Sequence, residues 1–173
     1  TTLDYTLQQY SEETAAAMMA EYNAENTAVL IMNPKTGEVL ASASYPTFNL
    51  STYREDISAL LEDEYSPLLN RALQATYPPG SIYKMVTAIA AIDYGHYSPY
   101  FKIQDEGLYT FYDSFQPKCY VWSRATGATH GNIDMREAIA HSCNYYFYEV
   151  GRVTYDTAKK EVGVNPFDEV AKA

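Results

Sequence analysis

Tyr77-Pro78-Pro79-Gly80-Ser81-Ile82-Tyr83-Lys84-Met85-Val86-Thr87-Ala88 decides how this sequence is read. Pro78, Pro79 and Gly80 break the chain, and Ser81 opens an apolar run, Met85 to Ile92, that ends before Gly95. Break, opening residue and stop predict a helix from Ser81 to about Tyr94. Within its first turn Ser81 and Lys84 stand three residues apart and share a face. A serine hydroxyl becomes a nucleophile only when a neighbouring base takes its proton, and a lysine can do so once its own pKa has fallen. The positive end of the helix dipole and burial both push a lysine in that way. The free N–H of Ser81 at the same helix start can donate to a developing oxyanion. Many solvated helices carry Ser-x-x-Lys as a cap followed by a surface lysine. In this chain the forced entry and the apolar run behind Lys84 predict a core helix with the lysine on a cleft floor.

Working outward, Thr1 to Tyr22 is rich in good helix formers and predicts an N-terminal helix. Ala28 to Met32 and Glu38 to Ser44 read as strands joined by the turn residues Asn33-Pro34-Lys35-Thr36-Gly37. Residues 46–70 are a polar connection with an acidic helical stretch from Glu55 to Glu64. Tyr97 to Gly131 reads as loops and short strands. Helices are expected over Asp134 to His141, capped near Asn132, and over Asn144 to Tyr155, and a further capped helix begins at Asn165.

The 173 residues, 47% apolar and 20% charged, are those of an ordinary globular chain. A formal charge of −10, from 12 basic and 22 acidic residues without a basic stripe, argues against a nucleic-acid partner. The 18 tyrosines suit strands and wet clefts and identify no ligand. Cys119 and Cys143 are expected to be two free thiols, neither a disulfide framework nor a metal site, and no cofactor motif is present. No stretch approaches the roughly 18 apolar residues of a membrane span, and no signal peptide is legible.

A second chemical element is Ser142-Cys143-Asn144, set between two expected helices. It offers a hydroxyl that can relay protons and an amide that can hold a peptide bond. By itself it would pass for an ordinary helix cap. Paired with Ser81 and Lys84 it is far more specific.

The stretch Tyr77 to Ala88 resembles the active-site helix of the class B penicillin-binding proteins, and Ser142 to Tyr148 resembles their second motif. The similarity extends, in family order, to Thr2-Leu3-Asp4 with Leu7-Gln8, to Thr36 to Ala41, to Ser44 to Phe48 and to Asn70-Arg71-Ala72. The resemblance implies a β-lactamase/transpeptidase-like α+β fold. It also implies a peptidoglycan D,D-transpeptidase acting on the outer face of the cytoplasmic membrane, acylated by stem peptides or β-lactam antibiotics and working with other cell-wall synthesis proteins. On this match Ser81 is the nucleophile, Lys84 the general base of acylation, Ser142 the proton relay, and Asn144 a substrate-amide contact and partner of Lys84.

The family's third motif, Lys-Thr/Ser-Gly on a later strand, is not found after Asn144. Lys35-Thr36-Gly37 spells it, but in a hairpin turn, where Thr-Gly answers to backbone geometry. Residues 1–173 are therefore expected to be a partial transpeptidase domain. Residues 1–50 would form the N-terminal helix and β-hairpin, and residues 51–173 a mainly helical active-site region. The family's C-terminal strands would be absent, and the exposed sheet edge would invite self-association. Two alternatives share the fold: a serine β-lactamase, for which no deacylating acid is recognisable, and a non-catalytic β-lactam sensor.

Overall fold

The computed structural model describes residues 1–123 and 125–173 and divides the chain into two units, Thr1–Tyr77 and Pro78–Ala173. In the first, the Asp4 side chain accepts the Leu7 N–H at 2.9 Å and opens helix α1 (Tyr5–Tyr22), which ends at Asn23 in the left-handed conformation. Strands β1 (Thr27–Met32) and β2 (Val39–Tyr45) pair antiparallel from Thr27 opposite Tyr45 to Met32 opposite Val39, with a bulge at Ile31 and Met32. This is the expected hairpin. In its connection the Gly37 N–H donates to the Asn33 carbonyl at 2.8 Å, and Gly37 has φ +77, which a β-branched residue there would resist.

Helix α1 lies on β2 through small residues. Ser11 and Ala15 of the helix and Ala41 and Ala43 of the strand are all buried. The Gln8 amide fixes the register from both ends, accepting the Ser42 N–H at 2.8 Å and donating to the Ser42 carbonyl at 3.0 Å. The outer edge of β2 is partly occupied, because Asp4 N–H and Thr2 Oγ1 donate to the carbonyls of Leu40 and Val39. Leu30 and Met32 of β1 are exposed. After helix α2 (Tyr53–Glu62), the buried Arg71 guanidinium donates to the carbonyls of Ser66 and Tyr65, which offsets its desolvation.

In the second unit the first helical turn opens on Gly80 at φ +59. The expected Ser81 helix differs in its first turn: Gly80–Tyr83 is a 3-10 turn, and helix α3 proper spans Lys84–Asp93. Residues i and i+3 eclipse in a 3-10 turn, so the change brings Ser81 and Lys84 more directly into line. Strands β3 (Ile103–Asp105) and β4 (Gly131–Ile133) form a two-stranded antiparallel ladder. Helix α4 (Met135–Ala140) follows. Its cap is Asp134 rather than the expected Asn132, which is paired with Gln104 in the ladder. Asp134 accepts the N–H groups of Arg136 and Glu137 in a capping box closed by Glu137. Helix α5 (Asn144–Glu161) runs six residues past the expected Tyr155, and helix α6 (Pro166–Lys172) is capped by Asn165 as expected. The core joins Ala88 and Ala91 of α3 to Ile133, Met135 and Ala138, and to Tyr146, Phe147 and Val150 of α5.

Gly107, at φ +83, turns the chain after β3. A Cβ there would lie 1.7 Å from Cδ1 of Trp122, the sole tryptophan. Overpacking and the left-handed backbone together make Gly107→Ala cost about 2–4 kcal/mol. Urea unfolding followed by Trp122 fluorescence measures it, and a change below about 1 kcal/mol would contradict the contact.

Candidate active site

The 3-10 turn and α3 supply Ser81 and Lys84, and the junction between α4 and α5 supplies Ser142 and Asn144. All four side chains meet. Lys84 Nζ donates to the Ser142 carbonyl at 2.7 Å, to Ser142 Oγ at 3.0 Å and to Asn144 Oδ1 at 2.6 Å. The Ser142 hydroxyl in turn donates to Ser81 Oγ at 2.9 Å. Among the described residues no hydrogen bond joins Lys84 directly to Ser81, so Ser142 stands between them. Ser81 itself is exposed, which suits an attacking group.

Local structure explains the placement. Ser142 has φ +51, an unusual state for a residue with a Cβ that costs roughly 1–2 kcal/mol. Its N–H donates to the Ile139 carbonyl at 3.1 Å, and the Cys143 N–H to the Ala138 carbonyl at 2.8 Å, so the end of α4 folds back and holds the kink. Cys143 then caps α5, and Asn144 is its first residue. The Phe147 ring stands 5.9 Å from Lys84 Nζ, one helical turn beyond Asn144. Burial in these surroundings lowers the Lys84 pKa below the ordinary 10.5, against a smaller opposing pull from Cys143 and Cys119.

The arrangement can move a proton. Lys84 as an ammonium satisfies three acceptors with three hydrogens. As a neutral amine it keeps two hydrogens and gains a lone pair. The Ser142 hydroxyl, which rotates freely, can then turn to donate to Nζ and accept from Ser81. Reversal of this chain carries the Ser81 proton toward Lys84.

Behind the junction lies a cluster the sequence did not announce. Asp105 at the end of β3, Cys119 in the following loop, His130 before β4 and Cys143 before α5 bring four donor atoms within 4.8 Å of one another. The two cysteines are free thiols, as expected, but their sulfurs are only 3.8 Å apart rather than unrelated. Cys119 Sγ is 3.4 Å from His130 Nδ1, and Cys143 Sγ is 3.5 Å from Asp105 Oδ2. Around a tetrahedral zinc-class ion with Zn–S about 2.3 Å and Zn–N or Zn–O about 2.0–2.2 Å, two sulfurs stand about 3.8 Å apart and sulfur to nitrogen or oxygen about 3.5 Å. The sulfur–sulfur separation and both of these sulfur contacts already fit. His130 Nδ1 and Asp105 Oδ2 are instead joined by a direct hydrogen bond of 2.8 Å, which an ion would lengthen to about 3.4 Å. Burial alone would raise the Asp105 pKa, but hydrogen bonds from His130 and Gly107 hold it below the carboxylate range. Burial pushes the Cys143 thiol up to about 12. The spacings of 14, 11 and 13 residues between successive donors match no familiar ligand motif, which is why the set escaped the sequence reading.

A model of the penicillin binding protein transpeptidase domain matches residues 27–173. The chain is 35% identical over 151 residues to the peptidoglycan D,D-transpeptidase MrdA of Acinetobacter baumannii, covering 84% of this chain and 21% of that protein. Among solved structures it is similar to penicillin-binding protein A from M. tuberculosis as an imipenem acyl-enzyme complex. There the TM-score is 0.73 and the identity 25%, covering 99% of this chain and 38% of that one. It is also similar to penicillin-binding protein PBP2 from Helicobacter pylori in complex with MreC. In that case the TM-score is 0.66 and the identity 27%, covering 91% of this chain and 29% of that one. The chain thus spans about a fifth of the length of the first of these relatives.

The donor cluster predicts zinc-dependent stability. Zinc at about a hundredfold excess over its Kd should stabilise chelator-treated protein by about 2.7 kcal/mol, and His130→Ala should abolish the increment. Thermal unfolding with and without zinc measures both. No zinc-dependent shift in the unsubstituted protein would count against the fit.

Proposed function

Because the chain belongs to the penicillin-binding protein transpeptidase family, with its β-lactamase-like α+β fold, we propose that it carries the nucleophile and the second motif of a peptidoglycan D,D-transpeptidase. The observation that carries this reading is the hydrogen-bonded chain from Lys84 through Ser142 to Ser81, with Asn144 as the third acceptor of Lys84. Ser81 Oγ attacks the D-Ala-D-Ala carbonyl of a stem peptide. Its proton passes by way of Ser142 toward Lys84, and the terminal D-alanine leaves with a proton returned along the same path. Lys84 is thus the general base, and Ser142 the relay. Asn144 orients Lys84 and contacts the substrate amide. An amine from a neighbouring stem peptide then takes the acyl group and frees Ser81.

The Ser81 N–H, in the first turn of its helix, has no intrahelical acceptor and supports the developing oxyanion. β-Lactams acylate the same serine and stay, since no acid for activating a deacylating water is recognisable in the sequence. Lys35-Thr36-Gly37 is read as the hairpin connection rather than a catalytic motif, in keeping with Lys35 N–H donating to Asn33 Oδ1 and Thr36 Oγ1 to Glu38 Oε2. The substrates place the enzyme on the outer face of the cytoplasmic membrane, among other cell-wall synthesis proteins. No helix of the described residues is long and apolar enough to cross a membrane.

Two outcomes follow for the full-length protein. Intact-mass spectrometry after benzylpenicillin should show one stoichiometric adduct that Ser81→Ala removes, and Lys84→Ala should slow its formation about 10²- to 10⁴-fold. A full adduct on Ser81→Ala would move the nucleophile elsewhere, and sustained hydrolysis would favour a β-lactamase.

The second outcome concerns pH. A lowered Lys84 pKa increases the neutral, base-competent fraction. The acylation rate should therefore rise with pH and level off at a midpoint below the 10.5 of an ordinary lysine. A stopped-flow pH profile that still climbs steeply through 10.5 would exclude Lys84 as the depressed base.

A further inference from the structure

We propose that Cys119 and Cys143 form a modification site: a dithiol that closes to a disulfide when its donor cluster is free of metal and meets a small-molecule disulfide. Metal and disulfide are then mutually exclusive states of one pair. The setting rests on the extracytoplasmic transpeptidase reading, since that compartment permits thiol oxidation. The geometry stands independently of it.

The two sulfurs lie 3.8 Å apart and need about 1.8 Å of approach to reach the bonded separation of about 2.05 Å. Closure draws on both sides. Cys143 is held by its cap on α5 and by its N–H bond to the Ala138 carbonyl, so the approach of its sulfur pulls on the α4–α5 junction. Cys119 lies between strands β3 and β4, in a segment with no helix among its described residues, held by isolated bridges at Leu108–Lys118 and Ser123–Ala128, by its N–H bond to the Gly107 carbonyl at 2.7 Å and by the Trp122 N–H on its own carbonyl at 3.0 Å. Both sulfurs are buried, with the residues 1% and 0% exposed, so reaction requires that this loop open. Tyr120 beside Cys119 is 64% exposed, which sets the opening at the surface.

The exchange balances. Cys119 thiolate attacks one sulfur of the reagent disulfide, forming a mixed disulfide and releasing one thiolate. Cys143 thiolate then displaces the second, and the two cysteine protons end on the two released reagent thiols. The pair is oxidised by two electrons and the reagent reduced by two. A bound ion engages both sulfurs at once and blocks the first attack.

Closure reaches the acylation machinery through the chain itself. Cys143 lies between Ser142 and Asn144, and its sulfur also contacts Asp105 Oδ2 and the Tyr146 N–H, each at 3.5 Å. Drawing that sulfur toward Cys119 displaces both neighbours. A misplacement of about 1 Å at a reacting group costs up to about 10²-fold in rate.

The experiment uses the full-length protein in two preparations, zinc-loaded and chelator-stripped, each exposed to oxidised glutathione. Intact mass and peptide mapping follow the bond, and fluorescent penicillin follows Ser81. Expected are the loss of two hydrogens, a linked Cys119–Cys143 peptide pair and a 10- to 100-fold fall in labelling rate in the stripped sample only, reversed by reductant and zinc. Two alkylatable thiols or persistent mixed disulfides after oxidation would overturn the proposal. So would equal cross-linking of the zinc-loaded sample, or a cross-link that leaves labelling unchanged. Failure of the reduced, zinc-loaded protein to label defeats the transpeptidase reading instead, and the mass readout still decides the dithiol.

Discussion

The candidate site depends on the saturation of one half-buried cation. Lys84 Nζ has three hydrogens and finds three acceptors, all from Ser142 and Asn144, 58 and 60 residues further along the chain. An ammonium taken out of water is costly unless every hydrogen is partnered. Saturation therefore fixes the start of α3 against the junction of α4 and α5 more firmly than apolar contact alone would. The strained φ of Ser142 is offset by the same contacts, because in that conformation both its carbonyl and its Oγ accept from Nζ.

The junction is two-sided. Cys143 is extended, with φ −65 and ψ 117, and successive side chains of extended backbone point in opposite directions. Ser142 and Asn144 therefore face Lys84, while Cys143 turns inward to Asp105 and Cys119. Proton-transfer groups and a buried set of metal-type donors are thus one residue apart in sequence and back to back in space. Any force on the inner side is felt on the outer one.

The hairpin, every helix and the shared face of Ser81 and Lys84 were legible in the sequence from local signals, turn residues, caps and spacing, whereas the partnership of Ser142 and Asn144 with them was implied only by the family resemblance. Boundaries slipped where tertiary structure decided. Asn132 has the side chain of a cap, but its backbone is drawn into the ladder with Gln104, and Asp134 takes the role. The apolar run of α3 predicts a helix through the core, yet only Ala88, Ala90 and Ala91 are buried, while Met85 and Ile89 stay 54% and 49% exposed. An apolar run carries no mark of which side its neighbours occupy. The donor cluster was illegible for a related reason. Its members come from a strand end, a loop, a strand start and a helix cap, and only the folding of residues 105–143 makes them neighbours.

Two opposing demands meet at Lys84. Three acceptors favour the ammonium, which binds them all, whereas burial favours the neutral amine. Burial is the larger influence, so the pKa falls. The contact to Ser142 Oγ is the longest of the three, at 3.0 Å, and the only one whose oxygen carries a rotatable hydrogen. It is therefore the contact that yields when Lys84 loses a proton, since the carbonyl of Ser142 and the amide oxygen of Asn144 can only accept. The lone pair of the neutral amine is thereby aimed at Ser142 and through it at Ser81. The order of proton movement follows from which acceptor can also donate.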